Sequence, residues 1–71
     1  MRFLVIVEEG PDSFGAYVPD LPGCVAVGRT REETLTLMQE AIAFHLEGLK
    51  ADGQPIPLQN SSVETVDVEM A

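Results

Sequence analysis

The seven residues Val18-Pro19-Asp20-Leu21-Pro22-Gly23-Cys24 contain two prolines and a glycine, and they constrain the fold more than any other segment. Each proline lacks a backbone N–H, so a strand that reaches Pro19 must end there or lie at a sheet edge. Gly23 can take a positive φ without steric cost and can turn the chain back. The segment therefore predicts a tight connection between two strands.

Strand-like runs flank this connection. Phe3–Val7 is continuously apolar, which is typical of a strand covered on both faces or central in an oligomer. Phe14–Val18 alternates with a period of two, and the turn residues Gly10–Ser13 separate the two runs, so a hairpin is expected. Cys24–Val27 then forms a third short run that ends at Gly28. The sequence predicts a three-stranded antiparallel meander.

A helix is predicted from Arg31 to Ala51. Thr30 and Glu33 have the spacing of a capping box, and Gly53 supplies a stop signal. Apolar residues recur at spacings of three and four, which draws one stripe along a helix. The stripe consists of Leu35, Met38, Ile42, Leu46 and Leu49, and it is widened by Leu37, Ala41 and Phe44. Because this arc is wider than one small sheet needs, we expect part of it to meet another subunit.

The C-terminal residues suggest a fourth strand. Gln54–Leu58 reads as an extended connector because of its prolines, and Val63–Met70 then alternates, with Val66, Val68 and Met70 on one face. We expect this strand beside the first one, covered by the helix. The predicted fold class is α+β with the order β-β-β-α-β. It consists of one domain over residues 1–71, a small, mainly antiparallel sheet with one helix packed on one face.

The size and cysteine content favour self-association. A chain of 71 residues buries a small core, and its one cysteine, Cys24, excludes an internal disulfide. Small domains often compensate by oligomerising, so a dimer or tetramer is expected. The initial apolar run is too short for a signal peptide or a membrane span, and a lone cysteine fits a reducing compartment, so we expect a cytoplasmic protein without membrane contact.

The charge balance bears on partners. Four basic and 12 acidic residues give a formal net charge of −8, which phosphate backbones repel, so direct nucleic-acid binding is not expected. Such a surface can steer a basic protein partner, although it also serves simple solubility.

The sequence contains no recognisable catalytic, cofactor or metal site, and we expect a protein that is not an enzyme. Cys24 lies among acidic neighbours and is interpreted as buried and inert. His45 falls beside the apolar stripe and is interpreted as a packed residue, with a pH-sensitive subunit contact left open. The glutamates at 33, 40 and 47 mark a solvated helix stripe rather than a magnesium site.

A protein-contact edge is the remaining functional indication. Tyr17, Pro19, Asp20, Leu21 and Pro22 place one aromatic and three apolar side chains on or near a proline-held turn. Such a turn loses little further entropy when it binds a partner. The alternative is that the turn folds back on the helix with Leu21 as a core plug.

Several of these motifs together resemble the HicB-like antitoxin domain over essentially the whole chain. They are Phe14-x-Ala16, Val18-Pro19-Asp20-Leu21-Pro22-Gly23-Cys24, Gly28-x-Thr30-x-x-Glu33, Glu40-Ala41 and Gly53-x-x-Ile56-Pro57. The resemblance implies a degenerate ribonuclease H fold that has lost its acidic metal site.

The same resemblance implies a function. In that family the domain binds and blocks HicA, a small basic mRNA ribonuclease. Members usually carry a DNA-binding domain after it; with its end at Ala71, this chain is expected to be a short member without one. Two alternatives stay open: an orphan structural or oligomeric domain with no toxin partner, and a residual metal-dependent hydrolase that uses acids at the sheet edge.

Overall fold

The computed structural model describes residues 1–70. Within this range three strands, β1 (Ile6–Glu9), β2 (Phe14–Tyr17) and β3 (Val25–Gly28), precede one helix, α1 (Arg31–Ala51). The predicted α+β class, with the helix packed on one face of the sheet, is confirmed.

The sheet is an antiparallel meander in the order β1-β2-β3. Ile6 lies opposite Tyr17 in the first pair of strands, and Tyr17 lies opposite Val25 in the second. The Gly10 N–H donates to the carbonyl of Ser13 at 2.8 Å and closes the hairpin. The hairpin and the third strand were both predicted from the alternation and the turn residues, and both are confirmed.

The first turn of α1 is held by a modified capping box. The Thr30 hydroxyl accepts the Glu33 N–H at 3.0 Å, as the spacing predicts. The Glu33 carboxylate accepts a hydrogen bond from the Arg29 N–H at 3.0 Å, one residue earlier than the usual N-cap donor. The Thr34 hydroxyl donates to the Thr30 carbonyl at 2.7 Å and lies 3.4 Å from the carbonyl oxygen of Phe14. The helix start is therefore bonded both to its own cap and to β2.

The helix ends where the glycine predicts. Gly53 has φ = 70°, and its N–H donates to the Lys50 carbonyl at 3.1 Å. The Gln54 N–H donates to the Leu49 carbonyl at 2.9 Å, so carbonyls of the last turn are satisfied. The chain then leaves the helix as an extended segment.

The core lies between α1 and the sheet. Its buried apolar members are Ala16, Val18, Leu21, Cys24 and Met38, with Phe3, Val5, Val7, Ala26, Ala41, Ile42 and Leu46 packed around them. The centre of the buried helix face is rotated from the predicted stripe, because Thr34 is fully buried whereas Leu35 is 42% exposed. Leu37 and Phe44 are also exposed, so the apolar arc of α1 is wider than the surface that the sheet covers. A subunit contact for this surplus stays a prediction.

The prediction of a fourth strand within the chain is wrong. Among residues 54–70 the chain forms neither helix nor strand, and the order in the described range is β-β-β-α. Val66, Val68 and Met70 are 77–87% exposed, so α1 does not cover them. An alternating pattern defines the two faces of a strand but not the edge that it joins. The ribonuclease H-like label stays a prediction.

Candidate protein-contact site

The connection between β2 and β3 is a rigid turn formed by Val18–Cys24. The Val18 N–H donates to the Cys24 carbonyl at 3.2 Å, the Leu21 N–H to the Val18 carbonyl at 3.1 Å, and the Cys24 N–H to the Leu21 carbonyl at 3.1 Å. Gly23 has φ = 83°, a left-handed conformation that other residues adopt at a cost. The two prolines occupy positions at which no donor is needed. We call this segment the proline turn.

The structure separates the five predicted contact residues into two groups. Leu21 is 0% exposed, so its side chain is a core plug and points away from any partner. Tyr17 is 41% exposed, Pro19 and Pro22 are exposed, and Asp20 is half-buried. Four of the five side chains are thus available at the surface, while Leu21 holds them in place from beneath.

Asp20 has a role that the sequence pattern does not reveal. Its carboxylate accepts the Ser61 N–H at 3.3 Å and the Ser61 hydroxyl at 3.0 Å. These bonds join the proline turn to the segment after α1. Two polar residues 41 positions apart carry no periodic signal, so only the folded geometry identifies the pair.

The face of the sheet opposite α1 is apolar and uncovered within residues 1–70. The register aligns Ile6, Tyr17 and Val25 in one row across the three strands, and Val27 follows on the same face. Val25 is 62% exposed and Val27 is 65% exposed. The solvent face of an antiparallel sheet is usually polar, so this arrangement is unusual. We call these four residues the open sheet face; the unbroken apolar run through β3 was the sequence signal for it.

Acidic charge borders the open sheet face. Glu8 lies in the row of Val27, because both pair with Gly15 on the central strand. The chain as a whole carries a formal charge of −8. An apolar centre with an acidic border is suited to a partner that is itself apolar and basic at the contact.

Within residues 1–70 no three His, Cys, Asp or Glu side chains converge as a metal site would require, and no pocket opens in the surface. His45 is half-buried on α1. No helix in this range has the length and apolar character needed to cross a bilayer.

We predict that Cys24 reacts slowly in the folded protein. Its side chain is 4% exposed, and burial raises the pKa of its thiol above the ordinary value of 9.0. Because the thiolate is the reactive form, modification by a disulfide reagent at pH 8 should be at least about tenfold slower than in urea. The folded state holds this proton more tightly than the unfolded chain, so the contribution of Cys24 to stability is present below pH 9 and falls as the pH rises further. Equal labelling rates in buffer and in urea would contradict the predicted slow reaction of Cys24 in the folded protein.

The fold and its surface define a class: a small α+β domain with a rigid turn beside an uncovered apolar sheet face. The chain belongs to the HicB-like antitoxin family of bacterial toxin–antitoxin systems, whose match extends over residues 3–70. The resemblance that the sequence motifs indicate is therefore confirmed.

Relatives are found in a phage, an archaeon and a bacterium. The chain is 37% identical over 84% of its length to an uncharacterized 14.9 kDa protein of the rep–hol intergenic region in Haemophilus phage HP1, and it spans 45% of that protein. It is 37% identical to a UPF0150 protein of Thermoplasma acidophilum, covering 93% of this chain and 97% of the relative. It is 33% identical to a UPF0150 protein of Helicobacter pylori over the whole of both chains. No solved structure matches.

Proposed function

We propose that this chain is an antitoxin that binds and inhibits a small basic mRNA ribonuclease of the HicA type. The observation that carries the proposal is the family match over residues 3–70. The proposal includes action by binding rather than catalysis, a single domain over residues 1–71, a cytoplasmic location, and a homo-oligomer (dimer or tetramer) without direct nucleic-acid contact. The lone cysteine supports the cytoplasmic location, and the charge of −8 argues against direct nucleic-acid contact.

The toxin contact is proposed at the proline turn and the adjoining open sheet face. Tyr17 belongs to the open sheet face and directly precedes the proline turn, with Pro19, Asp20 and Pro22 on one side and the exposed valines of β3 on the other. Protein interfaces concentrate their binding energy in a few large central side chains, and tyrosine is among those enriched there. Because the turn is already fixed by three backbone hydrogen bonds, binding orders little further backbone.

Charge supports the choice of a basic partner. A net charge of −8 on 71 residues attracts a basic ribonuclease and accelerates encounter at low salt. The same acidic surface would compete with RNA phosphates for the basic residues of the toxin. An acidic antitoxin can therefore inhibit by covering the RNA-binding surface without touching RNA.

The direct test is a binding and inhibition assay with a HicA-type ribonuclease, taken from the neighbouring reading frame if that frame encodes one. We expect a stable complex in low salt, loss of RNA cleavage at stoichiometric antitoxin, and weaker binding as the salt concentration rises. If cleavage is unaffected and no complex forms at low salt, the antitoxin proposal fails for this chain. The orphan oligomeric domain would then be the better account.

We predict that Tyr17→Ala weakens toxin binding by at least about tenfold, the effect expected of a central interface residue. The side chain is 41% exposed, so its removal should leave the fold largely intact. Phe44→Ala is the matched control, because Phe44 is an aromatic residue that is 78% exposed on α1. Calorimetry with both variants measures the difference; a larger loss for Phe44→Ala would place the contact on the helix instead.

A further inference from the structure

One edge of the sheet is open for strand pairing. The Gly10 N–H bonds across the hairpin turn, so the hydrogen-bonded residues of β1 alternate backward from it as Glu8 and Ile6. The backbone groups of the intervening residue, Val7, therefore face away from β2, and Val5 lies just before the ladder. β1 is the outermost strand of the sheet. Such an edge is a template for another strand.

The side chains along this edge are incompletely covered. Phe3, Val5 and Val7 are half-buried and pack at the margin of the core on the α1 side of the sheet. Ile6 is the first residue of the described β1–β2 pairing, so Phe3–Val5 precede the ladder. The edge thus offers unpaired backbone groups and three apolar side chains in a row.

The C-terminal residues of the same chain contain an apolar segment that does not pack on the sheet or the helix. We call Val63–Met70 the C-terminal arm; its Val66, Val68 and Met70 are 77–87% exposed. The radius of gyration is 14.5 Å, against about 11 Å for a compact chain of this length. The longest dimension is 53 Å, compared with 28 and 17 Å for the others. Its alternating apolar pattern is typical of a strand, but within the single chain it has no sheet to join.

We propose that the C-terminal arm of one copy pairs in a second copy with residues 3–7, which lead into β1 and begin its open edge, and that the exchange is reciprocal. The two features are self-complementary, so a closed twofold dimer satisfies both arms and both edges. In the proposed register Val68 lies beside Val5 of the second copy. Val66 and Met70 then lie beside Phe3 and Val7, respectively.

Charge favours the parallel direction for this pairing. With Val68 beside Val5, parallel strands place no acidic residue of the arm opposite Glu8 or Glu9. Antiparallel strands with the same central contact would place Glu64 opposite Glu9, and like charges directly opposite are destabilising.

The connector favours a second copy over the arm's own sheet. Pro55 and Pro57 stiffen the chain after α1, and Ser61 is fixed to Asp20 by two hydrogen bonds. Beyond this anchor the arm extends into solvent. A stiff connector opposes folding of the arm back onto its own sheet and therefore favours pairing of the arm with a second copy. This inference deepens the oligomeric part of the proposed function, but it does not depend on the toxin contact.

Mixed disulfide trapping tests the contact between copies. In a Cys24→Ala background, Val5→Cys and Val68→Cys are purified separately, mixed and oxidised. We expect a covalent heterodimer, because only an intermolecular contact can join the two chains. The control pairs Val5→Cys with Asp67→Cys, whose side chain lies on the other face of the arm, and should give much less product. Equal trapping in both mixtures would overturn the proposal.

Sedimentation provides a measurement that does not depend on cysteine. We expect the wild-type chain to be a dimer or a larger even assembly, and Val68→Asp to raise the dissociation constant at least about tenfold. Thr65→Asp adds the same charge on the opposite face and should change it much less. Val68 is 77% exposed in the single chain, so the variant should fold. A monomeric wild-type chain that still inhibits the toxin would overturn the exchange alone and leave the antitoxin function standing.

Discussion

Leu21→Ala is expected to lower the free energy of unfolding by about 2–4 kcal/mol, the usual cost of truncating a fully buried leucine. Leu21 is 0% exposed and is the largest of the fully buried side chains. It lies between two prolines whose rings fix the backbone, so the turn cannot collapse to fill the cavity. The domain's small core gives it a thin margin of stability. A loss of this size should leave a substantial unfolded fraction at room temperature.

Urea unfolding followed by circular dichroism measures this loss. Leu58→Ala is the matched control, because Leu58 is 78% exposed and its truncation should change the midpoint very little. If both variants unfold at the wild-type urea concentration, Leu21 is not the core plug that the structure shows. Because Leu21 supports the proline turn, its variant should also bind toxin less tightly even at temperatures where it remains folded.

Gly28→Ala is expected to cost about 1–3 kcal/mol through overpacking. A Cβ atom on Gly28 would lie 2.6 Å from the Thr34 hydroxyl oxygen, 3.0 Å from the Thr34 backbone nitrogen and 3.1 Å from a Glu33 carboxylate oxygen. The requirement is one of space, since Gly28 does not have a positive φ. The glycine lets the end of β3 contact the first turn of α1.

Two further variants separate this contact from a general effect of alanine. Gly15→Ala serves as the control, because no described atom beyond Gly15 and its two chain neighbours lies within 4 Å of the added Cβ. Thr34→Ala removes the nearest atom, so the double variant Gly28→Ala/Thr34→Ala should lose less stability than the sum of the single variants. Strict additivity in urea unfolding would mean that the two residues do not compete for the same space.

Local features were predictable from the sequence because their causes are local. The capping residue Thr30 and the stop at Gly53 act within one helical turn, and the structure has the helix bounds that they predict. The period of two in Phe14–Val18 likewise reports which side chains face the core. Tyr17, Pro19 and Pro22 are exposed on or beside the turn, as the sequence predicts, whereas Leu21 is the core plug of the alternative interpretation. The role of these residues in binding a partner stays a prediction.

Features that depend on distant neighbours were not predictable. The hydroxyl of Thr34 occupies a site against the backbone of β2, which rotates the buried helix face away from Leu35. Neither this contact nor the bond between Asp20 and Ser61 follows from spacing along the chain. The prediction of a fourth strand was wrong for the same reason. Val63–Met70 does alternate, but the path of the preceding connector decides whether the segment reaches the sheet, and the alternation does not report that path.

The burial of Thr34 divides α1 into two halves of unequal local stability. The first half holds the two fully buried residues of the helix, Thr34 and Met38, and is bonded to the sheet through the Phe14 carbonyl. The second half contributes only partly buried side chains such as Ile42 and Leu46. Segments with fewer buried contacts open at lower free energy. Amide hydrogens should thus exchange progressively faster toward Ala51. We expect the helix to fray from its C-terminal end, while its start opens together with the sheet as one cooperative unit.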